Sequence, residues 1–264
     1  MLTRESDFHD QWANHTETAS IKVREAFELP TAQENQYIIR ELGDIKGKTV
    51  LDVGAGLCES SVYFAMQGAE VTATDLSPGM LEKGRDLAHV HGVSIETIHS
   101  AAEDLADTGR QFDIIYAANL LHHLEDKPKF LAAIDRLLKP GGIFCSWDPI
   151  KYNPAIFMYR RLATDVRTPD ENPLGISDLR LIRKYIPDAR PRFFWFSALL
   201  LFMKYFLIDR VHPNSDRYWK RIYKETDKSL GWWKPLRALD SFLTSIPGLG
   251  WLCWNIVIIA RKKS

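Results

Sequence analysis

The stretch "LDVGAGLCES", Leu51 to Ser60, constrains the fold more than any other. An apolar run, "TVLDV" (Thr49 to Val53), is broken by Gly54 and Gly56 and followed by "ESSVYFAMQ", long enough for a helix. Glycines at that junction allow a tight turn and a close backbone approach, and the helix start presents unpaired N–H groups to whatever lies in front of it. From Lys48 to Trp147 the same rhythm continues, with short apolar runs alternating with amphipathic stretches, as in a doubly wound parallel sheet. The strands read as "EVTATD" ending at Asp75, "SIETIHS", "FDIIYAAN" (Phe112 to Asn119) and "IFCSWDP". Between them, "SPGMLEKGRDLAHVHG" has Ser77 as N-cap, Pro78 in the first turn and Gly92 as the stop, while "KPKFLAAIDRLLKPGG" reads as a helix with a glycine exit.

After Pro149 the rhythm breaks into an aromatic helix and a proline-punctuated loop, "NPAIFMYRRLATDVRTPDENPLG". "SDLRLIRKYIP" restores a capped helix, "RPRFFWF" reads as a sixth strand, and "CWNIVIIARKK" as a seventh. The expected fold is α/β, a doubly wound, seven-stranded, mostly parallel sheet with a helical insertion before the last strand. Its expected parts are an N-terminal helical lid (1–47), a ligand-binding core (48–149), a post-strand-5 insertion with helix and strand 6 (150–196), a hydrophobic helical insertion (197–250) and a terminal strand (251–264).

Lysine plus arginine equal aspartate plus glutamate at 34 each, so no net field draws a polyanion and no nucleic-acid partner is expected. Cys58, Cys145 and Cys253 are widely spaced, without a CxxC pair, which points away from disulfides and structural zinc and fits a reducing cytoplasm. The start, "MLTRESDFHDQW", has acids and no apolar run, unlike a cleaved secretion signal.

Two acids sharpen the reading of the glycine loop. Asp52 precedes its first glycine, and Asp75 ends the next strand 23 residues later, where a carboxylate accepts both hydroxyls of a ribose. A carboxylate beside a pyrophosphate would be repelled, so Asp52 suits a nucleoside with a positive end and no phosphate. S-adenosylmethionine, with its ammonium and sulfonium, meets that requirement. For Gly54 and Gly56 the plainer alternative is an ordinary strand-to-helix turn, and for Asp75 a helix cap.

In "VLDVGAG", "VTATDLSPGML", "AAEDL", "FDIIYAANLLHHL" and "LLKPGGIF", in that order and spacing, residues 48–148 resemble the core of class I S-adenosylmethionine-dependent methyltransferases, in the branch that methylates small molecules, quinones and lipids. The resemblance implies a Rossmann-like methyltransferase fold and S-adenosyl-L-methionine as cofactor. It implies Asp52, Gly54, Ala55 and Gly56 at the methionine end, Asp75 on the ribose, and Leu76 and Met80 against adenine. Ala102 and Glu103 would contact the ring through backbone groups, and Asn119 and Leu120 would lie beside the transferred methyl. The chain departs from the family at Cys58, where a third glycine is usual, and at Ala101, where an acid often meets the adenine amino group.

Methyl transfer from a sulfonium needs alignment above all, but an O–H or N–H acceptor also benefits from a base, and histidine is suited to neutral pH. His122 and His123 follow the fourth strand, at the sheet edge where doubly wound folds hold ligands. His9, in "DFHDQWANH", is a further candidate base if that segment covers the cofactor, the alternative being a packed aromatic segment. In some quinone methyltransferases a Glu-x-x-Glu-His run holds a divalent metal. Here the spacing reads Asn119, His122, His123 without the carboxylates, so no metal is expected. Tyr152, Tyr159, Arg160 and Arg161 are candidates for an acceptor pocket, or are simply solvated helix residues.

"FFWFSALLLFMKYFLI", Phe193 to Ile208, would reach about 24 Å as a helix, short of the roughly 30 Å hydrocarbon core, so it is not expected to span a membrane. Its basic flanks suit a segment lying in the interface plane, as do Trp232, Trp233, Trp251 and Trp254. A buried insertion core is the alternative. The expected activity is methylation, most readily at oxygen, of a hydrophobic small molecule, lipid or quinone, by a cytoplasmic protein with peripheral membrane contact through 197–250 on the inner face. The alternative is a methyltransferase-fold protein that binds the cofactor without methyl transfer. An asparagine–proline–proline–aromatic acceptor motif is missing after the fourth strand, where the chain has "ANLLHH". Oligomeric state is left open.

Overall fold

The computed structural model describes residues 10, 13, 17–105, 109–162, 171–212, 214, 218, 221–222 and 226–263. Its strands are β1 (Thr49–Val53), β2 (Glu70–Asp75), β3 (Glu96–His99), β4 (Phe112–Ala118), β5 (Leu138–Pro149), β6 (Arg190–Phe194) and β7 (Asn255–Arg261). They form one seven-stranded sheet in the order β3-β2-β1-β4-β5-β7-β6. The pairs from β3 to β5 are parallel, and β7 inserts antiparallel between β5 and β6. This is the α/β sheet expected, its one reversed strand being the last.

The central strands are apolar on both faces because helices cover both. On one face α5 (Lys127–Leu137) and α7 (Ile176–Tyr185) lay Phe130, Ile134 and Ile182 on Leu51, Ile115 and Phe144. On the other, α2 (Gln33–Leu42), α3 (Glu59–Met66) and α4 (Pro78–Val90) lay Ile38, Phe64 and Leu87 on Val50, Ile114 and Val257. The short α1 (Glu25–Glu28) buries Phe27 in the same layer, stacked on Tyr63.

Helix α4 starts as its sequence dictates. Pro78 sits in the first turn and Ser77 Oγ accepts the Met80 N–H at 3.0 Å. Helix α5 is capped likewise by Asp126, whose Oδ1 accepts the Lys129 N–H at 2.9 Å. It ends earlier than its sequence suggests, because Leu138 to Gly142 join a long β5 instead of continuing the helix.

After β5 come α6 (Pro154–Leu162) and α7; after β6 come α8 (Ala198–Met203), a π-helical turn (Lys204–Ile208) and α9 (Thr226–Ser245). The apolar run Phe193–Ile208 is therefore divided between a strand end, a turn at Trp195 with φ of 71°, and two short helical pieces. No helix among the described residues is long and apolar enough to cross a membrane. Phe202 and Tyr205 face inward, joining Ile156, Trp195, Tyr218 and Ile222 in a small separate core, while Leu200, Met203, Phe206 and Leu207 face out. Of the tryptophans expected at a membrane boundary, Trp251 packs on Tyr152 and Phe193, and Trp254 on Trp195 and Phe202, both half-buried. The side chains of Trp232 and Trp233 lie outside the described residues.

Candidate active site

Strand order reverses at β1, whose neighbours are β2 on one side and β4 on the other, and a crevice opens there at the carboxyl ends of the strands. Gly54, Gly56, Asp75, Leu76, Asn119 and Leu120 line it, with Ala102, Glu103 and His123 further round. These nine of the expected site residues converge on one cavity of about 200 Å³. Ser100, Ala101, Ala118 and Leu124 complete the wall. Nothing in their residue type distinguishes them; only their place beside the strand ends does.

The glycine loop has the geometry its sequence requires. Gly54 has φ of 67°, and a Cβ there would lie 2.7 Å from Leu120 Cδ1, so glycine serves both the left-handed turn and the close approach of the β4 loop. The Gly56 N–H donates to Asp75 Oδ2 at 2.7 Å, and the Ser77 N–H to Asp75 Oδ1 at 2.9 Å. Asp75 thereby ties the loop to the start of α4. A carboxylate oxygen can accept more than one hydrogen bond, as a diol would require. Ala55 donates its N–H to the Thr74 carbonyl and holds the loop against β2.

Cys58, in place of the third glycine, has φ of 58°, a conformation that favours glycine, and its buried side chain fills the space over Gly84, where a Cβ would meet Sγ at 2.3 Å. Substitution at the loop is thus matched by a glycine on the facing helix, and close packing survives. Burial pushes the Cys58 thiol far up, with the nearby Asp52 and Asp75 adding to the shift.

Two expected cavity residues are displaced into the core. Asp52 is buried behind the loop, and Ser61 Oγ donates to its Oδ2 at 2.6 Å. Burial, with the charge of Asp75 adding to it, raises its pKa to about 7 against the opposing Ser61 hydrogen bond. Met80 is buried too, because its place on the inner face of α4 turns the side chain toward the sheet. His9 lies outside the described residues. Its neighbour Asp10 reaches the α4 start, where Asp10 Oδ1 accepts from Ser77 Oγ and, at 3.1 Å, from the Gly79 N–H.

The two histidines separate in role. His123 lines the cavity, while His122 is buried behind it, their ring centroids 4.1 Å apart. Asp148, at the end of β5, lies 2.8 Å from His122 Nδ1 and its Oδ1 also accepts the His122 backbone N–H at 3.2 Å, so one carboxylate oxygen anchors both the ring and its backbone. Burial pushes the Asp148 carboxyl well above its ordinary range. The post-β5 segment closes over this pair, with the Asn172 N–H donating to the His122 carbonyl at 2.7 Å. It brings Glu171 to the histidines, so that donor atoms of His122, His123 and Glu171 lie within 4.8 Å of one another. The carboxylate missing from the 119–123 run is supplied across space. Arg160 competes with any cation for it, its guanidinium donating to Glu171 Oε2 at 2.8 Å. Spacing gave no signal for Asp148 or Glu171.

Of the other acceptor-pocket candidates, the Tyr152 hydroxyl accepts the Ile176 N–H at 3.1 Å, Tyr159 packs on Phe202 and Tyr218, and Arg161 lies over Phe157.

Residues 51–146 match the family model described as a methyltransferase domain. The ubiquinone biosynthesis O-methyltransferase of Ruegeria pomeroyi is 36% identical over 131 residues, which are 48% of this chain and 52% of that protein. The chain thus spans about half the length of the curated relatives it matches. Among solved structures, the YcgJ protein of Bacillus subtilis superposes with a TM-score of 0.57 at 19% identity, over 88% of this chain and 99% of that one. Phosphoethanolamine N-methyltransferase 2 of Haemonchus contortus, in complex with S-adenosyl-L-methionine, gives 0.57 at 18% identity, over 88% of this chain and 53% of that one. At these identities the structural likeness speaks for the fold.

Proposed function

We propose that this chain, whose residues 51–146 match a model described as a methyltransferase domain, transfers the methyl group of S-adenosylmethionine to a hydroxyl of a hydrophobic, quinone-type acceptor. The observation that carries this reading is the single cavity in which the glycine turn, Asp75 and His123 meet. The donor set fits the group: a carboxylate for the ribose diol, loop and helix-start N–H groups, and an apolar wall from Leu76, Leu120 and Leu124 for a base and an acceptor ring. S-adenosylmethionine supplies the electrophilic methyl.

The protein's own part is to align and to take a proton. His123, on the cavity wall, accepts the hydroxyl proton of the acceptor as oxygen forms its bond to carbon. His122 and Asp148 are positioning residues, holding the neighbouring ring in one orientation. Leu120, packed onto Gly54, shapes the ground between the cofactor loop and the acceptor. An acceptor of quinone type agrees with the name of the Ruegeria relative. Peripheral membrane contact through residues 197–250 is supported by the exposed Leu200, Met203, Phe206, Leu207 and Ile208, by Leu239 and Phe242 on α9, and by Ile246 just after it. A lipophilic acceptor would then enter from the bilayer.

Calorimetric titration with S-adenosylmethionine and S-adenosylhomocysteine, beside Asp75→Ala, tests the cofactor site. Micromolar binding abolished in the variant is expected, and an unbound wild type would remove the reading. Release of S-adenosylhomocysteine with a catechol-type quinol then separates transfer from binding alone. Co-sedimentation with anionic liposomes, before and after Leu207→Asp with Phe242→Asp, tests membrane contact. Equal pelleting of both forms would discard it.

A further inference from the structure

A second cavity, of about 290 Å³, lies where α2, β6 and α9 meet, and it shares no lining residue with the first. Its floor is polar and buried. Gln33 and Asp240 are 7% and 6% exposed, and both line it. Among the described residues, Gln33 Nε2 and Asp240 Oδ2 have no hydrogen-bond partner, although Asp240 Oδ1 accepts the Ser197 N–H at 2.8 Å. A buried donor or acceptor left without a partner is costly, and in folded proteins such groups are met by another protein group, an ordered water or a bound molecule.

The rim is cationic. Arg40, Arg192 and Arg237 reach the cavity from three different elements, each exposed and none in an ion pair among the described residues. Trp195 forms part of the wall in a left-handed conformation, φ of 71°, which non-glycine residues rarely adopt and which concentrates at ligand sites. Three guanidinium groups against one carboxylate leave a net charge of about +2 when Asp240 is ionised, more than a single carboxylate ligand would balance. Burial pushes the Asp240 carboxyl above its ordinary value, which makes the balance more positive still.

We propose that this cavity binds a phosphomonoester that also carries a hydroxyl group. The phosphate lies on the arginine rim, where the guanidinium fork matches phosphate oxygens, and takes the amide hydrogens of Gln33. The ligand hydroxyl donates to Asp240 Oδ2. A free sugar or polyol phosphate and the headgroup of a lysophosphatidic-type lipid share this chemistry. The site needs neither S-adenosylmethionine nor methyl transfer, so its failure and that of the proposed function are separable.

The test is calorimetric titration of the full chain with glycerol 3-phosphate, with glycerol as control, and flotation on phosphatidylcholine vesicles with and without lysophosphatidic acid. Each is repeated with Arg192→Gln combined with Arg237→Gln, with Arg237→Gln alone and with Gln33→Leu, after thermal melting has shown each variant to fold. At least tenfold weaker binding is expected for the double variant and several-fold for each single one. Loss of glycerol 3-phosphate binding identifies a soluble ligand, and loss confined to the lipid vesicles identifies a headgroup. No binding of either probe by the wild type, or equal binding by the folded variants, overturns the proposal.

Discussion

Asp52→Asn provides a test in which stability and ligand binding move in opposite directions. The Asp52 carboxyl is almost fully buried, and burial, reinforced by the charge of Asp75, lifts its pKa from 3.8 to about 7 against the Ser61 hydrogen bond. An acid whose folded pKa is raised holds its proton longer in the folded than in the unfolded chain, so stability is lost as pH rises from about 4 to about 7. The full displacement corresponds to about 4 kcal/mol. Asparagine keeps an acceptor for the Ser61 hydroxyl but never ionises. The variant is therefore expected to match the wild type near pH 4 and to exceed it by up to about 4 kcal/mol at pH 8. Urea unfolding at pH 4, 6 and 8 measures this. Glu34, Asp148 and Asp240 are displaced in the same direction but cancel in the comparison. A pH-independent difference, or a variant less stable at pH 8, would refute the reasoning. If Asp52 answers the ammonium of a bound ligand through the loop, the same variant binds S-adenosylmethionine more weakly although it is more stable, the exchange usual at ligand sites.

Replacing His123 by Asn removes the base and is expected to lower kcat by about 10²–10⁴ while S-adenosylhomocysteine affinity stays within twofold, measured by single turnover and calorimetry. In Gly54→Ala the left-handed φ costs about 1–2 kcal/mol and Leu120 must leave its contact, so both melting temperature and cofactor affinity should fall. The thiols of Cys58, Cys145 and Cys253 are buried and displaced upward, that of Cys253 to about 12. The native protein should therefore leave Ellman's reagent nearly unreacted at pH 8, and reaction of all three should appear only in denaturant.

Local rules made much of this protein legible in its sequence. The β1 run, the glycine turn, Ser77 with Pro78, and the β-branched tail that became β7 each follow from backbone freedom, capping or side-chain shape within a few residues. Those same rules brought Gly54, Gly56, Asp75, Asn119 and His123 to one crevice, since each lies at a strand end that the parallel sheet aligns. What depended on contacts between distant segments was hidden. Asp52 and Met80 turned inward because neighbouring helices had room for them there; Asp148 and Glu171 reached the histidines from a strand end and a loop far along the chain. The apolar run Phe193–Ile208 carried no sign of where it would be cut, because the cut depends on β6 pairing with β7 and on Trp195 packing against Trp254. The arginine-rimmed cavity draws on residues near 35, 192 and 240, and only the closing of α2, β6 and α9 on one another brings a buried amide and a buried carboxylate to one floor. Spacing along a chain determines local geometry and strand-end alignment, whereas burial and its electrostatic consequences are set by what folds against what.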